Sequence, residues 1–302
     1  MKLLVIASGG DGAGMNKVLA TLYRKFKKNI FACDGGFEAL YKNDIKPLYF
    51  FEPLKHENEA GCCIKSGRFP QFKEEKYFKV ALKNARNYDY VIVMGGNGSE
   101  MGCQDLTKGG VKTIFIPGTI DNDVLKSEYS IGFDSAVHAC VQMISNIMPS
   151  METMGQSCVL EVMGRHCSKI AEEVANRTKA DLCVKEKTDL KYVKIANLIK
   201  SKAKKRETAL IILRENIVDI REFADEINGR IGAGVLKKQI AGYVQRGPKP
   251  TEKELLLAKE FALKAIEVVK KNSFSKKILM QNGHIVKIDS EAKRDIKDKK
   301  FK

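Results

Sequence analysis

Apolar residues in this chain fall into short unbroken runs set between longer stretches with helical spacing. LLVIAS at 3–8, YVIVM at 90–94, TIFI at 113–116, SCVLEV at 157–162 and ALIIL at 209–213 are such runs. Each is too short for a buried helix and rich in β-branched residues, which predicts strands covered on both faces. Between them the apolar positions recur with helical period. One predicted helix spans about 14–26, and a second spans 251–271 with Leu255, Leu256, Phe261, Ala265 and Val268 on one stripe. IVKI at 285–288 reads as a late edge strand. Strand and helix alternate from end to end, which predicts an α/β chain with parallel sheets and ligands at the carboxyl ends of the strands. No internal repeat or low-complexity linker marks a domain boundary.

Composition changes this picture little. The chain has 302 residues, room for two domains, with 44% apolar and 30% charged residues as in ordinary globular proteins. The run at 3–7 is too short for a secretory leader and meets a glycine turn, so it is read as a first strand. Cysteines at 33, 62, 63, 103, 140, 158, 167 and 183 form no C-x-x-C pair, which predicts reduced, buried thiols and a cytoplasmic protein. The net charge of +16 raises the question of nucleic acid. However, 42 lysines to 11 arginines, spread along the chain without interleaved aromatics, describe a solvated surface. Neither a nucleic-acid nor a membrane partner is expected, although such a field draws in anionic substrates.

The candidate chemistry sits just after the strands. SGGDGAG at 8–14 and GGNGS at 95–99 each follow a strand and precede a helix, where bare backbone amides and the helix dipole suit a phosphate. One such loop is as easily a tight turn, and Ser99 as easily a helix cap. Two loops on one sheet edge suit a polyphosphate better. PGTIDND at 117–123 places Asp121 and Asp123 at a strand end. There one carboxylate can take a proton while the other helps hold a metal ion, unless the segment is only an acidic turn. EVMGR at 161–165 and GYVQRGP at 242–248 each offer an arginine among glycines to a phosphate or sugar.

Together these segments resemble the ATP-dependent 6-phosphofructokinase family, from residue 3 to about 263. IPGTIDNDV, SIGFDSAV, VLEVMGRHCSKIA and AGYVQRGPKP occur in the family's order, with SGGDGAGMN and SGRFPQF completing the set. The resemblance implies the phosphofructokinase fold, two doubly wound, Rossmann-like α/β domains. A nucleotide domain would be 1–133 with 247–302, and a sugar-phosphate domain 134–246, in a homotetramer. It implies transfer of the γ-phosphate of ATP to O1 of fructose 6-phosphate in glycolysis. Asp121 is then general base, Thr119 support for the transferring phosphate, and Asp123 a ligand of Mg²⁺. Gly10, Arg68, Phe69, Gly96, Asn97, Gly98 and Ser99 match nucleotide-contacting positions. Met163, Gly164, Arg165, Glu215, Lys237, Tyr243 and Arg246 match sugar-phosphate positions. Pyrophosphate-dependent relatives carry Asp at Gly98 and Lys at Gly118, so glycine at both points to ATP.

Several positions depart from the family. Asn97 stands in place of a metal-associated Asp and is carried as a second metal position. Gln156 and Lys237 replace arginines that reach the 6-phosphate from a neighbouring subunit, Tyr243 replaces a His, and Cys33 falls where a Tyr packs on adenine. Arg24 matches a basic position of the effector site while Ala20 and Met148 replace others, so weak or absent allosteric control is expected. These departures leave open a second reading, a weakly active or inactive paralogue binding nucleotide or sugar phosphate in a regulatory or structural role. The polar tail 290–302 is expected to be mobile.

Overall fold

The computed structural model describes residues 1–290. Along the chain the first elements are β1 (Leu3–Ser8), α1 (Met15–Phe26), β2 (Ile30–Cys33), α2 (Phe37–Lys42) and β3 (Ile45–Pro47). Then come α3 (Glu75–Ala85), β4 (Tyr90–Gly95), α4 (Asn97–Lys108), β5 (Thr113–Pro117) and α5 (Phe133–Thr153). β6 (Ser157–Val162), α6 (Lys169–Thr178), β7 (Leu182–Val184), α7 (Tyr192–Lys204), β8 (Leu210–Arg214), α8 (Ile220–Ile231) and β9 (Leu236–Ile240) follow. The chain closes with α9 (Glu252–Lys270), β10 (Lys276–Gln281) and β11 (His284–Asp289). It divides into two compact units, Met1–Asp134 with the chain from Lys249 onward, and Ser135–Pro248.

The first unit is a seven-stranded sheet in the order β11-β10-β5-β4-β1-β2-β3. Its strands alternate strictly in the face they show. Leu3, Val5, Ala7, Tyr90, Ile92, Met94, Ile114 and Ile116 join one apolar cluster with Val18, Leu19 and Leu22 of α1 and Phe261, Ala262, Ala265 and Val268 of α9. Leu4, Ile6, Val91, Val93 and Phe115 join the other, with Leu40 of α2, Ala81 and Ala85 of α3, and Leu106 of α4. Period-2 strands buried on both faces explain why these runs are apolar throughout. The five central strands are parallel, but β3 and β11 run antiparallel at the two edges. The parallel pattern therefore stops at the rims: β10 and β11 are joined by a tight hairpin, and β2 reaches β3 through α2.

The second unit is a four-stranded parallel sheet, β7-β8-β6-β9. Val159, Ile211 and Leu213 pack on Ile195 and Ile199 of α7 and on Phe223 and Ile227 of α8. Caps fix two helix starts. The Asp219 carboxylate accepts from Arg221 N at 2.7 Å, and the Thr251 hydroxyl accepts from Glu254 N at 3.1 Å.

Candidate active site

β1, β4 and β5 are neighbours and parallel, so the loops that follow them leave the same edge of the sheet. Ser8 is in register with Gly95, and Gly95 with Pro117. Gly118 N then donates to Gly95 O at 2.9 Å. Gly95 is the tightest point: a Cβ there would stand 2.4 Å from Ser8 O and 2.3 Å from Ser99 Oγ. Only glycine lets the three strand ends close up. Gly98 is the opposite case, since a Cβ there meets nothing within 4 Å. α4 begins at Asn97, inside the GGNGS segment. The first N–H groups of a helix have no partner within it, so those of Asn97 and Gly98 are presented at a glycine-cleared surface.

The TIDND turn meets this loop. Gly96 lies 3.7 Å, measured from its would-be Cβ, from Thr119 Cβ. Asn97 Nδ2 donates to Asp123 Oδ2 at 3.1 Å and to Asp123 O at 3.2 Å. Asp121 is buried, 6% exposed, and its N–H donates to Thr119 Oγ1 at 3.3 Å. The turn is held from behind. Ser130 Oγ donates to Thr119 O at 2.7 Å, and Asn122, at φ +52°, donates from Nδ2 to Glu128 O at 3.0 Å. Asn is among the few non-glycine residues that accept that backbone region cheaply. Gly132 backs both segments: its would-be Cβ is 3.0 Å from Gly12 Cα and 3.3 Å from Ile120 Cγ2, and its N–H donates to the buried carboxylate of Glu254 at 2.9 Å. Residues 66–69 run over the end of β1, bridged through Ser8 and Gly67, with Gly9 N donating to Gly67 O at 2.9 Å. There Phe69 stacks on Tyr41 at 5.8 Å, with Tyr77 edge-on, and Arg68 is exposed.

In the second unit a strained turn follows β6. Gly164 has φ +147° and Arg165 φ +53°, and the N–H groups of both donate to Glu215 Oε1, at 3.0 and 2.7 Å. Two successive amides around one carboxylate oxygen form an anion-binding nest. A Cβ on Gly164 would stand 2.3 Å from Cys167 O. Met163 N donates to Oε1 of the buried Gln245, which ties the segment 242–246 to the same strand end. Burial first, then Glu215 and Asp219, pushes the pKa of Glu161 up. Arg165 and Tyr243 are exposed and Arg246 half-buried, all near the carboxyl ends of β6 and β9.

A family model described as Phosphofructokinase matches residues 2–269. The chain belongs to the phosphofructokinase family. It is 31% identical to a probable ATP-dependent 6-phosphofructokinase of Malacoplasma penetrans, over 98% of this chain and 96% of that protein. It is 30% identical to an ATP-dependent 6-phosphofructokinase of Lysinibacillus sphaericus, over 95% of this chain and 92% of that one. Among solved structures, phosphofructokinase from Saccharomyces cerevisiae superposes with a TM-score of 0.83 at 23% identity, covering 96% of this chain and 44% of the yeast chain. A pyrophosphate-dependent phosphofructokinase from Marinobacter aquaeolei superposes at 0.78 and 16% identity, covering 97% of this chain and 84% of that one. Those two likenesses establish the phosphofructokinase fold.

Within that family frame, several residues stand differently from what the sequence suggested. Asn97 turns its N–H side to Asp123, which leaves its Oδ1 buried and without a partner within the protein. Ser99 is no N-cap: its buried hydroxyl donates to Ser8 O at 3.0 Å and pins α4 to β1. Cys33, the last residue of β2, is fully buried. Lys237 sits near the amino end of β9, in register with Cys158, and its Nζ lies 3.7 Å from the would-be Cβ of Gly234. Arg165 and Arg246 belong to the carboxyl ends, roughly 13 Å along the strand. Gln156 precedes β6 on the same amino edge as Lys237. The two replaced arginine positions thus share an edge that the rest of the sugar group does not. Gly118 points not at open space but at Met15, whose Cε would be 2.9 Å from an added Cβ.

Arg24 has an internal anion. Its guanidinium forks onto the Glu57 carboxylate, which also takes Lys17 Nζ at 2.6 Å. Ala20 is buried beside it on α1. All eight cysteines are free, and burial pushes the thiols of Cys63, Cys158 and Cys183 up to about 11. Among the described residues no helix is long and apolar enough to cross a membrane. The tail beyond 290 lies outside the described residues. Sequence reading missed Gln245, Glu254 and Ser130 as supports, because a buried polar residue within an amphipathic segment carries no signal of its own.

Proposed function

We propose that this chain is an ATP-dependent 6-phosphofructokinase. The observation that carries the reading is the single sheet edge on which Gly96 touches Thr119 and Asn97 holds Asp123, beside an open Gly98. Asp121 takes the proton of the sugar's O1 hydroxyl, O1 bonds to the γ-phosphorus, and the bond to the bridging oxygen breaks to leave ADP. Thr119 and the amides of Gly96–Gly98 steady the transferring group and the remaining phosphates. Gly10, Arg68 and Phe69 are assigned to the nucleotide, and Met163, Gly164, Arg165, Tyr243 and Arg246 to fructose 6-phosphate. Glu215 is assigned to the sugar as well as to bracing the 163–165 turn.

Among the described residues no three His, Cys, Asp or Glu side chains are grouped to cage a metal ion. The donor set fits a cation carried largely by the nucleotide, with the exposed Asp123 carboxylate as the protein's oxygen ligand. Mg²⁺ there supplies charge neutralisation on the phosphates. Lys237, on the amino edge of its sheet, serves a neighbouring copy, in keeping with a homotetramer. The free thiols suit a reducing cytoplasm.

A coupled assay with ATP, Mg²⁺ and fructose 6-phosphate tests the reading. Turnover is expected, and Asp121→Asn should lower kcat by about 10²–10⁴-fold with both KM values little changed. Absence of turnover in the parent protein, with ATP and with pyrophosphate alike, refutes it and leaves the ligand-binding paralogue.

A further inference from the structure

The pairing of Asn97 with Asp123 does more than bring two loops together on one sheet edge. One amide nitrogen donates twice, to the side-chain Oδ2 of Asp123 at 3.1 Å and to its backbone carbonyl at 3.2 Å. A single donor that engages both ends of a residue fixes its χ angles as well as its position. The other end of the amide is informative too. Asn97 Oδ1 is buried with no hydrogen-bond partner in the protein. Leaving a buried acceptor unpaired costs free energy, so the side chain holds its N–H side on Asp123 against that cost. The reverse orientation would set a carbonyl oxygen against a carboxylate. The donor is also rooted: Asn97 opens α4, and Ser99 and Glu100 both donate their N–H groups to Gly96 O at 3.0 Å.

We propose that Asn97 is a positioning residue that locks Asp123 by direct hydrogen bonds, so that this chain binds its divalent cation only together with the nucleotide. The proposal rests on the kinase reading for its catalytic consequence but not for its binding one. The chemistry follows from the atoms. A carboxylate at 97 would put an oxygen where Nδ2 now stands, about 3 Å from Asp123 Oδ2. Two like charges at that distance need a proton or a cation between them. A cation-binding pair would then exist before nucleotide arrives. The neutral amide removes both the repulsion and that prior cation site. Asp123 keeps its geometry without metal, and its remaining lone pairs stay free for a cation delivered on phosphates.

The test uses the full chain without nucleotide and Mn²⁺ as the probe, counted by electron paramagnetic resonance and by melting temperature at matched ionic strength. The parent protein is expected to bind no Mn²⁺ at this site and to melt unchanged. N97D should bind about one Mn²⁺ and gain melting temperature with it. In turnover at saturating MgATP, the parent rate should be flat in free Mg²⁺, while N97D should rise with it. N97A, which loses the lock without creating a carboxylate, should lose about tenfold in kcat while its melting temperature stays within 2 °C of the parent. N97A also stands in if N97D does not fold. Nucleotide-free Mn²⁺ binding by the parent equal to that of N97D, or N97A kinetics indistinguishable from the parent, overturns the proposal. The Mn²⁺ count needs no turnover, so its failure is separable from failure of the kinase reading.

Discussion

The sharpest stability consequence lies directly beneath the phosphate loop. Glu100 in the first turn of α4 and Lys277 in β10 form an ion pair at 2.5 Å, with side chains only 11% and 8% exposed. Gln104 Nε2 adds a neutral donor to the same carboxylate oxygen at 3.2 Å. A pair this dry gains little over a well-packed apolar pair, because both ions were stripped of water, but removing one partner strands the other charge. Lys277→Met keeps the apolar stem and deletes the cation, and should cost about 3–5 kcal/mol. For a unit of this size that is roughly 6–20 °C in melting temperature. Glu100→Met strands the ammonium and should cost a similar amount, while the double Met variant should recover to within about 1–2 kcal/mol of the parent. Function separates the two charges. In Lys277→Met an uncompensated carboxylate sits one turn below the amides of Asn97 and Gly98, opposing the dipole that favours phosphate. The KM for ATP should rise about two- to fivefold, and the double variant should reverse this. Differential scanning calorimetry and steady-state kinetics on the four proteins form one cycle. A Lys277→Met protein that melts within 2 °C of the parent, or a double variant no better than the worse single, would falsify the claim that the charges depend on each other.

Further outcomes follow from particular atoms. Gly98→Asp enters open space and should leave melting unchanged yet raise the KM for ATP at least tenfold, whereas Gly95→Ala drives a Cβ into Ser8 O and should cost about 1–3 kcal/mol before any kinetic effect is read. Arg24 first, then Lys17, holds Glu57 at about 2 against burial, below its ordinary 4.5, so its contribution is present above pH 4.5 and lost as pH falls towards 2. With Arg24 half exposed, E57Q should lose about 1 kcal/mol at pH 7 and none near pH 2, and the parent should show no activation by ADP, both read by denaturant melts and coupled assay. Lys237→Ala and Asp121→Asn, each impaired alone, should regain activity when unfolded and refolded together, and should not if Lys237 serves its own chain's site.

Much of this was legible because parallel-sheet chemistry concentrates at strand ends. LLVIAS, YVIVM and TIFI announced three buried strands, and the glycine or Asp-rich segment after each could only emerge on one edge once those strands proved adjacent and parallel. The short elements escaped. Phe31 and Cys33 in β2, or Leu182 and Val184 in β7, offer three or four residues, too few for a period to register. β9 escaped for another reason: in the edge strand Leu236–Ile240 only Leu236 is buried, and Lys237, Lys238 and Gln239 leave no apolar run to read. At the site, residue type revealed the possible chemistry but not the direction in which each group points. Asn97 read as a second metal position because the family carries an Asp there, whereas its hydrogen-bond partner lies 26 residues away in the sequence. The family resemblance sets Cys33 and Ser99 at the nucleotide, and the structure buries both side chains.

One physical pattern runs through these differences. Three groups that the family resemblance directs at external ligands already have an internal hydrogen-bonding partner. Arg24 grips Glu57, the nest at 164–165 holds Glu215, and Asp123 accepts from Asn97. A ligand at such a position gains only the difference between its own contact and the one it displaces or shares. The arrangement therefore favours ligands that leave the internal partner in place. A nucleotide-borne cation can do so on the free lone pairs of Asp123, and a sugar can do so on the second oxygen of Glu215. An effector phosphate at Arg24 cannot, because both arms of the fork are already bonded to one carboxylate. The fork of Arg24 on Glu57 is therefore the reason no activation by ADP is expected.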